Sequence, residues 1–98
     1  MGSRTGAGGR FLPEFEWDEH NEDKLLERHN VSASEAEQCF AQAHTKRRQG
    51  DDVLMLGITD DGRMLLLVYE QKPGGVVRVY SARDMTDKEK RTYRQHAR

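Results

Sequence analysis

The chain has 98 residues, of which 35% are hydrophobic and 34% charged, and this composition fits one small α+β domain better than a membrane or disordered protein. The net charge is only −1, but residues 11–37 hold nine acids and two bases, whereas residues 44–98 hold twelve bases and eight acids. This asymmetry favours a charged partner for the second half. The single cysteine, Cys39, excludes an internal disulfide. Together with the lack of a membrane-length apolar run and of a signal sequence, it favours the cytoplasm.

The first residues predict a tail followed by a short strand. Residues 1–10 contain four glycines and almost nothing to bury, so we expect a flexible tail in front of one domain spanning residues 11–98. Residues 11–17 alternate loosely between apolar and polar side chains, which is typical of a strand. Pro13 favours an edge position for this strand, because proline cannot donate a ladder hydrogen bond.

The next segment predicts a first helix with a thin apolar stripe. Asp18 is a typical N-cap, and the helix is expected to run over about residues 19–29. Its stripe consists of Leu25 and Leu26, extended by His29 at the far end. Asn30 can end the helix in a left-handed conformation.

A second helix is predicted directly after the first. Ser32 and Glu35 have the spacing of a capping box, which marks a helix start. Small residues dominate one face, so a close approach to a neighbouring element is expected. That face consists of Ala33, Ala36, Cys39, Phe40 and Ala43.

The rest of the sheet is predicted from apolar runs joined by short turns. Residues 44–51 are polar and predict a connection, and this connection contains the basic run Lys46-Arg47-Arg48. The later strands are expected to be antiparallel, because the turns between them are short. They cover residues 53–58, 64–69 and 77–83.

A last helix is predicted after the sheet. Thr86 and Glu89 form a second capping box, and the helix is expected to continue to about residue 96. Its sequence is almost wholly polar, and only Met85, Tyr93 and Ala97 can reach the core. The predicted order is β-α-α-β-β-β-α, an antiparallel sheet with two helices packed on it.

Two arginines follow turns or strand ends, and the residues alone favour one of them, Arg83, for holding a phosphate. Arg83 stands at the end of a strand, just before a helix N-terminus, where a guanidinium can bind an anion. The alternative is an ion pair with Asp84, with Asp87 or with the acidic first helix. Arg63 follows the glycine of a hairpin turn, where a solvated arginine is the usual role.

Other polar residues also have two readings. His29 is either a proton acceptor or a buried histidine that bonds to backbone. The basic run at residues 46–48 and the bases of the last helix either follow an RNA backbone together or form a solvated face. Tyr93 is the main apolar anchor of the last helix. Cys39 is most simply a small core residue, and no recognised set of metal ligands is present in the sequence.

Several short segments occur together between residues 15 and 93. They are Phe15-Glu16-Trp17-Asp18 with Asn21, Arg28-His29-Asn30-Val31 with Glu35-Ala36, Gly57 with Asp61-Gly62-Arg63, the apolar strand to Tyr69, and Ser81-Ala82-Arg83 followed by Lys88-Glu89-Lys90-Arg91 and Tyr93. In these segments and their order the chain resembles the BrnT family of type II toxin-antitoxin toxins, small ribonucleases of RelE-like fold. Typical members place a cluster of acidic and basic residues with a histidine in the connection before the second strand. The connection here is short and has Lys46-Arg47-Arg48-Gln49-Gly50 instead.

The resemblance implies cleavage of RNA, chiefly messenger RNA, without a metal or other cofactor, and thereby inhibition of translation. It also implies a cognate antitoxin, usually of ribbon-helix-helix type, through which larger assemblies form. In such toxins the 2′-hydroxyl of the RNA attacks the adjacent phosphate. The site residues implied by the resemblance are Arg63 and Arg83 as a phosphate clamp, His29 as a base and Tyr93 as a substrate contact. The basic residues expected to bind RNA are Lys46, Arg47, Arg48 and Arg78.

Two other functions fit the same residues. The chain is either a binding module that holds RNA or an antitoxin without catalysis, or a degenerate family member that keeps only the fold. An active site needs several cations around a proton acceptor. The sequence offers one histidine for that role, His29, and this residue also fits a helix core.

Overall fold

The computed structural model describes residues 12–98, so the predicted tail and Phe11 lie outside the described residues. Within this range a single four-stranded antiparallel sheet has the order β1-β2-β3-β4, and three helices accompany it. The predicted α+β class is confirmed. The elements are α1 Glu19–His29, α2 Ala33–Ala41, β1 Thr45–Gln49, β2 Asp52–Ile58, β3 Met64–Gln71, a 3-10 turn at Pro73–Gly75, β4 Val77–Asp84 and α3 Asp87–His96.

The predicted first strand is reduced to a single bridge in the described part of the chain. Phe15 pairs in parallel with Val77, through bonds of 2.8 Å from the Glu16 amide to the Val77 carbonyl and from the Val77 amide to the Glu14 carbonyl. The segment covers one end of the β4 edge. It extends no further, because Asp18 turns the chain into α1 by accepting a hydrogen bond from the Asn21 amide.

Residues 45–49, predicted to lie in a connection, form strand β1, so that prediction is wrong. The strand pairs with β2 from Thr45 opposite Leu56 to Gln49 opposite Asp52. Its side chains are mostly exposed on both faces, so an alternating apolar pattern is missing and the backbone ladder alone defines it. Basic side chains are common on edge strands, because they discourage pairing with another chain. Among the described residues the element order is therefore α-α-β-β-β-β-α.

The two faces of the sheet carry separate apolar clusters. The face toward α1 and α2 holds the larger one, built on Leu25, Cys39, Met55, Leu67 and Tyr69 among other buried residues. The face toward α3 holds a smaller one that consists of Leu56, Leu66 and Met85, with Leu54, Met64 and Tyr93 packed against it. No residue of α3 is itself buried, as its polar sequence predicts.

Helix α2 packs very closely on β2, as its small residues predict. A Cβ atom added at Gly57 would lie only 2.8 Å from the Cβ of Cys39, so glycine is required there. Both predicted capping boxes are present, and Asn30 ends α1 in the left-handed region with φ of 56°. Leu26 was expected in the apolar stripe but is 52% exposed. No helix within residues 12–98 is long and apolar enough to cross a membrane.

Candidate nucleic-acid interface

Arg83 lies on the α3 face of the sheet and forms a bidentate ion pair with Glu89. Its pairing with Leu66 across the β3–β4 ladder fixes this face. Nη1 and Nη2 each donate to one carboxylate oxygen of Glu89 at 2.8 Å, and Nη1 also donates to the Asp84 carbonyl at 3.0 Å. The Arg83 side chain remains 44% exposed. The alternative of an ion pair for this arginine is thus observed, but with a partner outside those considered from the sequence.

The helix start determines where Glu89 stands. Glu89 is the third residue of α3 in a capping box, in which its carboxylate accepts the Thr86 amide at 2.9 Å and its own amide donates to the Thr86 hydroxyl. This geometry turns the side chain back over the first turn, toward the end of β4. The adjacent guanidinium of Arg83 is the main cause that lowers the pKa of Glu89 to about 2.

Arg63 lies at the opposite side of the sheet in a closed cluster. Its Nε donates to Asp84 at 2.9 Å, and Nη1 donates to the Asn30 carbonyl at 2.7 Å and to Glu35 at 3.3 Å. Nη2 also reaches the His29 carbonyl at 3.5 Å. Arg63 therefore ties the C-terminus of α1 to the start of α2 and to β4, and its side chain is 25% exposed.

The structure does not bring the two arginines of the predicted clamp together. Arg83 pairs with Leu66 and Asp84 pairs with Leu65, and these two leucines belong to the clusters on opposite faces. Arg63 binds Asp84 and so lies with the α1 and α2 face. His29 is half-buried at the end of α1, and its ring makes no hydrogen bond within residues 12–98.

A groove of about 470 Å³ opens between β1, β2, β3 and the first turns of α3. The bases of its lining whose side chains share this face are Arg47 and Lys88, and they outnumber its one acid, Glu89, so its charge favours an anion. The floor is apolar and comes from the smaller cluster of the sheet. The lining residues are Thr45, Lys46, Arg47, Leu54, Leu56, Leu66, Thr86, Lys88, Glu89 and Thr92.

The other predicted RNA-binding residues lie at different places. Arg47 is opposite Leu54 and so shares the groove face. Lys46 and Arg48 are opposite Met55 and Val53, so their side chains point to the other face. Arg78 is held by Asp18 at 2.9 Å and by Glu16 at 3.4 Å, away from the groove lining.

Tyr93 packs in the smaller apolar cluster, and its hydroxyl donates to the Ala43 carbonyl at 2.9 Å. The tyrosine thus anchors α3 beside the groove. Cys39 is buried, and burial is the main cause that raises its pKa to about 12, so it is not a reactive thiolate. Within the described part of the chain no three His, Cys, Asp or Glu side chains form a cluster that could hold a metal ion.

Lys88 was among the bases of the last helix that the sequence offered for an RNA backbone, but the groove residue Glu89 was missed. It was visible as part of a capping box, which by itself predicts only a helix start. The useful signal was the spacing of six residues from Arg83 to Glu89, which folds the carboxylate back onto the arginine once the strand and helix are joined by a tight turn.

The fold and the groove define a small α+β domain whose sheet carries a basic, apolar-floored groove on the face opposite its two packed helices. Residues 17–89, about three quarters of the chain, match the family model described as a ribonuclease toxin, BrnT, of type II toxin-antitoxin systems. The chain therefore belongs to the BrnT ribonuclease toxin family, and the resemblance drawn from its sequence is confirmed. A comparison with curated proteins gave no match.

Proposed function

We propose that the protein is a toxin that cleaves RNA without a metal ion, with messenger RNA as its substrate and inhibition of translation as the result. The family supplies the class of activity, a ribonuclease toxin with an antitoxin partner. The groove between the sheet and α3 is the proposed binding site. The observation that carries this choice is the ion pair between Arg83, which is partly exposed, and Glu89, a carboxylate that lines the groove.

The groove chemistry fits a phosphodiester with its attached sugar and base. Arg47 from β1 and Lys88 from α3 supply positive charge from both walls, which attracts the phosphates of a single strand. The leucines of the floor offer an apolar surface for a ribose or a base. Arg83 keeps N–H groups beyond those that hold Glu89, so it can stabilise negative charge that develops on the phosphorus oxygens.

The remaining candidates take other roles in this proposal. Arg63 stabilises the junction of α1, α2 and β4, since all its strong contacts are internal. His29 lies beside Arg63 and takes no part in the chemistry. Tyr93 positions α3 through the Ala43 carbonyl and does not contact the substrate.

The antitoxin is proposed to be a ribbon-helix-helix protein that neutralises the toxin in the cytoplasm and brings toxin copies together. The same basic groove is its proposed target, because covering the groove would exclude RNA. The support is the charge of the groove and the family's toxin-antitoxin class.

The test compares two neighbouring arginines of β1. Arg47→Ala removes a charge from the groove, and Arg48→Ala removes the same charge from the other face of the same exposed strand. We expect Arg47→Ala to weaken RNA binding by about tenfold and to lower its salt dependence, and Arg48→Ala to change both much less. Cleavage of RNA by the wild type should persist in excess chelator. Equal losses for both variants would contradict the groove as the binding site.

A non-catalytic binding module is the second candidate function. Two observations favour it. The Glu89 carboxylate already binds both terminal nitrogens of the Arg83 guanidinium, and the described residues that line the groove include no histidine. Under this alternative Arg47→Ala still weakens RNA binding more than Arg48→Ala does, but the folded wild type does not cleave the RNA.

A further inference from the structure

Glu89 is the single carboxylate or imidazole among the described residues that line the groove. The other polar linings are threonines, lysines and one arginine, and the sequence-based candidate base, His29, lies at the end of α1 on the other side of the sheet. A lysine accepts a proton only when neutral and an arginine does not. The proton acceptor for a reaction in this groove is therefore to be sought at Glu89.

The hydrogen bonds of Glu89 leave acceptor capacity on one oxygen. Oε1 accepts from the Thr86 amide at 2.9 Å and from Arg83 Nη1 at 2.8 Å, whereas Oε2 accepts within the described chain only from Arg83 Nη2 at 2.8 Å. A carboxylate oxygen has two lone pairs, so Oε2 can accept a further hydrogen bond without losing the present ones. The Glu89 side chain is 25% exposed.

We propose that Glu89 is a catalytic residue that accepts the 2′-hydroxyl proton of RNA at Oε2, while Arg83 binds the adjacent phosphate. This inference rests on the ribonuclease function proposed for the groove. The helix cap and the arginine hold the carboxylate in one orientation, and the same arginine places the phosphate next to it. Base and phosphate are thus brought together by one guanidinium, an arrangement that favours reaction through proximity.

The proposed step is an internal transfer at phosphorus. Glu89 takes the 2′-hydroxyl proton, the 2′-oxygen forms a bond to phosphorus, and the bond from phosphorus to the 5′-oxygen breaks with its electron pair on that oxygen. The 5′-oxygen takes a proton from solvent water, and the hydroxide left behind is neutralised by the proton on Glu89. The products are one RNA ending in a 2′,3′-cyclic phosphate and one beginning with a 5′-hydroxyl.

The charges around Glu89 change when RNA binds. In the free protein Arg83 from β4 lowers the pKa of Glu89 to about 2, and Arg47 from β1 and Lys88 from α3 line the same groove. A bound phosphodiester shares the guanidinium and adds a negative charge, and both effects raise the pKa of a neighbouring carboxylate. The substrate itself therefore makes Glu89 a better base.

Glu89→Gln tests the proposal, with Glu35→Gln as its matched control. Both glutamates are third residues of capping boxes and both contact an arginine, and glutamine can serve at that helix position. The measurements are binding of a 2′-O-methyl RNA oligonucleotide and single-turnover cleavage of the matching RNA from pH 5 to 9. We expect Glu89→Gln to bind the oligonucleotide at least as tightly as wild type but to cleave about 10² to 10⁴ times more slowly. Its rate should keep rising with pH as the 2′-hydroxyl ionises, whereas the wild-type rate levels off and Glu35→Gln follows the wild type.

Three results would overturn the inference, and they separate it from the proposed function. If wild type cleaves RNA, Arg83→Ala does not, and Glu89→Gln keeps the wild-type rate and pH profile, Glu89 is not the base although the groove is the active site. If the Glu89→Gln rate falls only in step with oligonucleotide binding or folded fraction, Glu89 has a structural role alone. If folded wild type does not cleave RNA, both the inference and the proposed function are wrong.

Discussion

Two clusters in this protein are built from the same parts and differ in what surrounds them. In each, a Ser or Thr caps a helix and the glutamate three residues on binds an arginine: Ser32, Glu35 and Arg63 form one cluster, and Thr86, Glu89 and Arg83 form the other. In the first cluster Arg63 also donates to two carbonyls and to Asp84, whereas the second cluster stands at the wall of a groove. A local motif therefore does not decide whether an arginine is structural or available to a substrate.

The largest difference between the clusters is expected in RNA cleavage. Arg83→Ala should reduce single-turnover cleavage by about 10²-fold or more, because a charge-stabilising donor at the phosphate is lost. Arg63→Ala should reduce it only as far as the folded fraction falls. Quantified cleavage of one RNA oligonucleotide, with circular dichroism to measure folding, checks both variants. Equal loss of activity per folded molecule would remove the distinction between the clusters.

Stability should show the opposite order. Arg63→Ala is expected to lower the free energy of unfolding by about 2 kcal/mol, since it leaves Glu35, Asp84 and the Asn30 carbonyl without their shared donor. Arg83→Ala should cost less than about 1 kcal/mol, because this arginine has one carboxylate partner and is 44% exposed, against 25% for Arg63, so solvent screens its ion pair. Urea unfolding of both variants measures the difference. A larger loss for Arg83→Ala would show that its cluster is the structural one.

Acid should reduce the stability that the ion pair between Arg83 and Glu89 contributes to the fold. The folded pKa of Glu89, about 2, is below its ordinary value of 4.5, so the ion pair contributes stability above pH 4.5. That contribution is lost as the pH falls from 4.5 toward 2. With screening we expect it to be about 1 kcal/mol. Unfolding of Glu89→Gln should therefore depend less on pH over this window than unfolding of the wild type, and identical pH profiles would contradict the ion pair.

The sequence predicted the elements whose signals are local. Capping residues marked all three helix starts, and continuous apolar runs marked β2 and β3. β1 was missed, because an edge strand with both faces exposed carries no periodicity. The length of the strand near Phe15 was overestimated. Alternation of apolar and polar residues does not show how many hydrogen bonds a strand will make with its neighbour.

The site was predicted less well than the fold, for a topological reason. Single residues such as Arg83 and Arg47 were chosen on their chemistry, but the face that each one occupies depends on strand register. A shift of one residue in the register moves a side chain to the other face of the sheet. Arg63 and Arg83 were therefore expected together and lie on opposite faces. The partner of Arg83 was missed because Glu89 serves in a cap, and a cap does not show what lies beside it.

The central claim is that RNA binds in the groove on the α3 face. The most direct measurement is backbone amide NMR of the isotope-labelled protein during titration with a 2′-O-methyl RNA oligonucleotide, which cannot be cleaved. We expect the signals of residues 45–47, 54–56 and 86–92 to shift together and saturate, while those of Glu35 and Arg63 stay in place. Shifts centred on Arg63, or no saturable shifts in the groove, would contradict the claim.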